Sequence, residues 1–286
     1  FGADYALTDK WAVVSSYERS QIDTDTTQTT RDAFALGATF NSHPKAQDPT
    51  RVAGYTKFTT RAEYRSEEGG TDRTSYLTAN KLFYQVNPDV NLLAKAYYSK
   101  TQNETTDTKE AEFTEGSIGL AYRPVKNDKH NLLGKITYQS DQSPPVQGDL
   151  QTLLRKAMIF STESAIDLPS GFQIINKLAY KQQKEETGAV GEITSDTYLI
   201  ALRGNYKLKS DSIWLDKWLM GMEYRIKAVK LAEDKKSGVV LEFERELHQR
   251  INFGFGYNFT DFTDELSVYD DDYDVKGWFV RLTAKY

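Results

Sequence analysis

The stretch Ile251-Asn252-Phe253-Gly254-Phe255-Gly256-Tyr257-Asn258-Phe259 alternates without a break. Successive side chains of an extended strand point to opposite faces, so Ile251, Phe253, Phe255, Tyr257 and Phe259 share one face and Asn252, Gly254, Gly256 and Asn258 the other. One face is thus a row of large apolar groups and the other has almost no side chain. The apolar row suits lipid. A face of Gly and Asn suits a lumen or a tightly curved wall and would leave a dry sandwich core unfilled.

Working outward, the same period recurs. Trp218, Met220, Met222, Tyr224 and Ile226 oppose Glu223, Arg225 and Lys227. Tyr198, Ile200, Leu202, Tyr206 and Leu208 oppose Arg203, Asn205 and Lys207, and Ile118, Leu120 and Tyr122 oppose Glu115, Gly119 and Arg123. The alternating segments run about 10 to 14 residues, whereas globular strands average about 5 to 6 and tilted membrane strands need about 9 to 11. A large soluble β-sandwich or β-solenoid would also alternate, but with shorter strands.

The links divide into short ones, such as Asn87-Pro88-Asp89, Val125 to Lys129, Pro169-Ser170-Gly171 and His248-Gln249, and longer polar ones, such as Asn103 to Glu110, Asp141 to Gln151, Glu186 to Thr194 and Asp261 to Tyr273. Outer-membrane barrels pair short periplasmic turns with longer outside loops. From Trp11 the segments fall near 11–23, 30–40, 57–68, 74–86, 90–103, 111–124, 130–140, 152–168, 172–185, 195–208, 218–232, 237–247, 250–260 and 274–286. The expected fold is therefore all-β, an antiparallel transmembrane β-barrel of about 14 strands. Two places strain that count: the link Asn41 to Thr56 is long for a periplasmic turn, and Phe1 to Leu7 reads as the tail of a further strand.

Composition bounds the rest. The 286 residues are 39% hydrophobic and 27% charged, and no stretch approaches the roughly 20 consecutive apolar residues of a spanning helix. Without cysteine there are no disulfides, thiolate metal sites or cysteine nucleophiles. A formal net charge of -5 with scattered basic residues gives no nucleic-acid footprint. No signal peptide opens the chain, so the single barrel domain 1–286 is expected to be truncated or processed at its N-terminus.

At the C-terminus, Trp278, Val280, Leu282, Ala284 and Tyr286 alternate up to a terminal aromatic residue. This series resembles the signal that the outer-membrane barrel-assembly machinery reads on its clients. A second resemblance rests on Gly2-Ala3-Asp4-Tyr5-Ala6-Leu7-Thr8-Asp9, on Gly119-Leu120-Ala121-Tyr122-Arg123-Pro124 with Asn127-Asp128 and Asn131-Leu132-Leu133, and on Gly256-Tyr257-Asn258-Phe259-Thr260-Asp261-Phe262 ahead of Gly277-Trp278-Phe279. With these motifs the chain resembles the C-terminal barrel domains of large repeat-bearing outer-membrane proteins of proteobacteria. The resemblance implies an anchor behind long extracytoplasmic regions, and with an upstream strand it implies about 16 strands.

The search for chemistry finds little. His43, His130 and His248 are the only histidines, all in links expected at the periplasmic rim, and no nucleophile and base share a plausible spacing. The expectation is no enzyme and no cofactor. Asp270, Asp271, Asp272 and Asp274 could gather oxygen ligands for a divalent ion but lack the spacing of a defined calcium loop, and a solvated, self-repelling loop is the simpler reading. On the expected lumen faces, charges occur in blocks: Lys57, Arg61 and Arg65, then Lys177 and Lys181, then Glu242, Glu244 and Glu246. Opposed acidic and basic walls would orient permeating polar solutes; pairing across the lumen would plug it.

The expected role is an integral anchor in the outer membrane of a Gram-negative-type bacterium, porin-like and passing polar solutes. The alternative is the membrane seat of a surface or secretion assembly holding other subunits through loops or an upstream region. Expected partners are outer-membrane lipid and lipopolysaccharide, the barrel-assembly machinery during biogenesis, and subunits of such an assembly, with no nucleic acid.

Overall fold

The computed structural model describes residues 1–23, 28–45, 52–127, 129–143, 153–187, 191–208, 217–231, 234–248, 250–259 and 277–284. Among them lie fifteen strands: β1 (Gly2–Ala6), β2 (Trp11–Asp23), β3 (Gln28–Asn41), β4 (Thr56–Glu68), β5 (Arg73–Asn87), β6 (Val90–Asn103), β7 (Thr108–Tyr122), β8 (His130–Ser143), β9 (Leu153–Asp167), β10 (Phe172–Thr187), β11 (Gly191–Lys207), β12 (Trp218–Val229), β13 (Asp234–His248), β14 (Ile251–Asn258) and β15 (Gly277–Ala284). They form one antiparallel sheet hydrogen-bonded in sequence order, the strand pattern of the outer-membrane β-barrels. The fifteenth strand beyond the expected fourteen is β1, where Phe1 to Leu7 reads as a strand tail. By contact density the chain divides into two compact units, Phe1–Val125 with Gly134–Phe160 and Gln182–Thr194, and Lys126–Leu133 with Ser161–Lys181 and Ser195–Tyr286.

In the first unit, register carries the two-faced pattern from strand to strand. Phe34, Tyr64 and Tyr76 share rungs on one face of β3, β4 and β5. One residue along, Ala35, Glu63 and Leu77 share the other. In the second unit, Leu202, Tyr224 and Val239 share the apolar face while Arg203, Glu223 and Val240 share its opposite.

Burial is inverted relative to a soluble protein. The buried hydrophobic residues among those described are Ala35, Tyr55, Ala157 and Ala201, whereas large side chains such as Ile118, Ile136, Leu202, Met222 and Leu282 stand exposed. Three alanines and Tyr55 are the only apolar side chains buried among the described residues, too few to make an apolar core there. A continuous exposed apolar face of this extent needs a non-aqueous solvent, and a backbone satisfied strand to strand can enter one.

Two links differ from their sequence reading. Thr108 to Glu110 belong to β7, leaving 104–107 as the connection, and β10 runs to Thr187 while β11 begins at Gly191. Polar residues there extend the strands instead of forming loops, which shrinks the contrast in link length. The short link Pro169-Ser170-Gly171 turns as expected: Ser170 and Gly171 hold φ of 71° and 85°, and Leu168 N donates to Phe172 O at 2.7 Å. Positive φ suits Gly171, where a Cβ would also meet Lys207 O at 3.0 Å.

Candidate functional site

The polar face of the second unit carries a charge cluster around one buried carboxylate, Glu242. β13 places Glu242, Glu244 and Glu246 on alternate residues, and register sets Gly221 of β12 and Gly256 of β14 on either side of Glu242. Glu242 is 2% exposed, so its carboxylate must be matched. Arg203 of β11 reaches it over Gly221, with Nη2 2.8 Å from Oε2. A Cβ on Gly221 would lie 2.8 Å from that same nitrogen, so the absent side chain is the passage. From the other side, Arg281 of β15 places Nη1 2.8 Å from Oε1, an ion pair without the alignment of a hydrogen bond. Gly254 shares the rung of Arg281, and a Cβ there would make only ordinary contact, 3.6 Å from Glu242 Oε1 and 3.7 Å from Arg281 Cβ.

The network spreads along the strands. Arg203 Nε donates to Asn205 Oδ1 at 2.8 Å, Asn205 Nδ2 donates to Gln173 Oε1 at 3.0 Å, and Arg203 Nη1 lies 3.6 Å from Glu223. Glu223 is also bound by Arg225 on its own strand. Glu244 accepts from Asn252 Nδ2 at 2.7 Å, and Glu246 lies 3.9 Å from Lys217. Lys177 sits 3.3 Å from Glu163, and Lys181 lies on the same face of β10. A polar recess of about 310 Å³ opens here, walled by Glu163, Lys177, Arg203, Asn205 and Glu223.

The first unit repeats the principle with other residues. Arg61 and Arg65 bracket Glu63 on β4, with Nη2 2.9 Å from Oε2 and Nη2 2.8 Å from Oε1. Lys57 lies on the same face, on a rung with Asn41 and Phe83. Arg31 binds Glu67 at 2.6 Å, Lys95 binds Glu115 at 2.9 Å, and Arg73 binds Glu110 at 2.7 Å. Each of these pairs joins residues on one strand, on adjacent strands or on strands one apart. Neutralisation at this range weakens the transverse field that separate acidic and basic walls would make.

Of the terminal series, Trp278, Val280 and Leu282 stand on the apolar face, 77%, 71% and 70% exposed. Ala284 ends β15 on that face and pairs with Ile251, while Tyr286 lies outside the described residues. Asp270, Asp271, Asp272 and Asp274 also lie outside them. His43 Nδ1 is 2.8 Å from the Ser42 hydroxyl, which accepts from Thr56 N, as in a bonded turn. Alternation in the sequence puts Arg203 on the polar face but marks neither Arg203 nor Arg281 as a partner of Glu242. Only the register, which no local pattern reveals, shows that both reach Glu242.

No family model matches the chain, and no curated protein does. Among solved structures, the ferric enterobactin receptor of Pseudomonas aeruginosa superposes with a TM-score of 0.56 at 10% identity, covering 87% of this chain and 43% of that one. The ferric citrate transporter FecA superposes at 0.50 with 12% identity, covering 89% of this chain and 45% of that one. The chain thus spans less than half the length of these two. OmpT, an outer membrane protein of Vibrio cholerae, aligns at 0.35 with 9% identity over 99% of this chain and 95% of that one. The fold is that of the integral outer-membrane β-barrels, and the exposed apolar face has the chemistry such a location requires.

Proposed function

We propose that the chain anchors in the outer membrane and passes small polar solutes passively along its charged face. The observation that carries this reading is the range of the ion pairs. Arg203, Arg225 and Arg281 satisfy Glu223 and Glu242 within the sheet itself. Charges satisfied within the sheet do not need partners across a lumen, which favours an open interior over a plugged one. With Arg203, Arg225 and Arg281 against Glu223, Glu242 and the neighbouring Glu244, charge on that face balances, so selectivity between small anions and cations is weak and size is the main filter.

Ion conductance of the purified protein in a planar lipid bilayer tests this. Steady, nearly ohmic conductance with weak ion selectivity is the expected result. A bilayer that stays closed at all voltages removes the pore and leaves the anchor.

The resemblance of Gly119 to Leu133 and Gly256 to Phe262 to barrels of large repeat-bearing proteins supports a finer reading, a C-terminal anchor domain. It also favours a second role, the membrane seat of a surface assembly. Co-purification of further subunits from native membranes supports that role; a solitary protein counts against it. We assign the chain no catalytic chemistry and no cofactor.

A further inference from the structure

On the polar face of the first unit, three neighbouring strands bring six residues into one block. One rung carries Thr59, Lys81 and Lys95 of β4, β5 and β6, and the next rung on the same face carries Lys57, Phe83 and Leu93. Lys81 and Lys95 thus stand directly opposite each other, an arrangement of like charges that weakens a sheet. Lys95 is matched, 2.9 Å from Glu115 on β7. Lys57 and Lys81 are exposed, and among the described residues neither makes an ion pair.

The charge around the block is uneven. On the polar faces of β3 through β7, within two same-face rungs of it, the cations are Lys57, Arg61, Lys81 and Lys95 and the carboxylates are Glu63 and Glu115. Glu63 is taken by Arg61 and by Arg65 beyond it, and Glu115 by Lys95. Lys57 and Lys81 are left over, and they are neighbours: diagonal positions on adjacent strands lie about 7 to 8 Å apart, within reach of long side chains. Beside them the wall is apolar. Phe83 lies opposite Lys57 and two residues from Lys81, the buried Tyr55 backs it with ring centres 5.7 Å apart, and Leu93 on its other side is 40% exposed.

We propose that this block binds a small aromatic carboxylate, its anion between Lys57 and Lys81 and its ring against Phe83 and Leu93. The proposal rests on the passage proposed above, because a permeating solute meets this wall only along it. A bound anion offsets the repulsion at the Lys81–Lys95 rung, and a bound ring takes the exposed Leu93 out of water; a carboxylate without a ring does only the first.

Isothermal titration calorimetry of the full chain in detergent micelles tests it, with benzoate as probe and acetate and benzyl alcohol carrying its charge and its ring separately. Benzoate binding at one equivalent is expected, with acetate and benzyl alcohol each at least about tenfold weaker. Lys57→Gln with Lys81→Gln lowers benzoate affinity about tenfold, and Leu93→Ser lowers it about threefold. Lys81→Gln alone also raises the urea midpoint of the empty protein, since it removes the like charge opposite Lys95; a lysine kept for the fold would lower it. Equal affinity for acetate or for benzyl alcohol, indifference to either replacement, or a lowered midpoint for Lys81→Gln overturns the proposal. Bilayer conductance is measured alongside: a chain that conducts but binds no benzoate refutes this site alone, whereas one that binds benzoate and never conducts refutes the passage and keeps the site.

Discussion

Gly221 and Gly116 both sit in strand interiors, yet their missing side chains serve opposite purposes. Above Gly221 on the polar face, the space belongs to the Arg203 guanidinium on its way to Glu242. Above Gly116 on the apolar face nothing stands within 4 Å. A strand glycine weakens a sheet by itself, so its value lies in what it admits. One admits a charged group of the same chain and fixes it; the other leaves a groove open to the surroundings.

The comparison breaks most sharply at Glu242. Glu242→Ala leaves Arg203 facing a vacated buried site, and removing one partner of a buried pair costs about 3 kcal/mol at the lower end of the range, since Arg281 is half exposed. Urea unfolding in vesicles, followed by tryptophan fluorescence, would show it. A loss under about 1 kcal/mol would mean that water, and not the arginines, satisfies that carboxylate.

On the opposite face of β12, Met222→Arg places a charge where lipid is expected, at a cost of about 2 kcal/mol or more in vesicles. The same change with no cost would invert the face assignment. Gly221→Val drives a side chain into the Arg203 path and should cost about 1 to 2 kcal/mol, with changed conductance. Its counterpart Gly116→Val meets open space and should stay within about 0.5 kcal/mol of the parent. If the two valine variants behave alike, the contrast between the glycines is void.

The smallest effect concerns pH. Lys230, just past β12, has its pKa raised chiefly by its hydrogen bond to Asp196, then by Tyr198. A raised folded pKa means the stabilisation is complete below the ordinary lysine value of 10.5 and is lost as pH climbs through the folded one. Lys230→Gln should therefore flatten the alkaline end of the stability profile and leave the neutral region little changed. An unchanged alkaline limb would remove Lys230 from the account.

The faces of β11 through β14 are readable directly, because a period of two sorts Tyr198, Met220, Glu242 and Phe255 without knowledge of any neighbour. Strand ends were less readable. Thr108 and Lys109 are polar enough for a loop, and only their pairing with Asn103 and Gln102 makes them strand. The partners of Glu242 were not readable at all. Arg203 lies 39 residues away, and its reach depends on the register of β11 against β12 together with the gap at Gly221.

The line from Arg203 through Glu242 to Arg281 crosses the strands obliquely, each arginine two residues off the rung of Glu242, and ties β11, β13 and β15 together. Backbone hydrogen bonds are nearly indifferent to a slide of two residues, because every second position presents the same face. Moving β15 so that Phe279 reaches the rung of Gly254 would carry Arg281 to the rung of Asn252, away from Glu242, and leave that carboxylate without its second arginine. The clasp thus works as a pawl, resisting slippage of β15 in the direction that draws Arg281 away from Glu242.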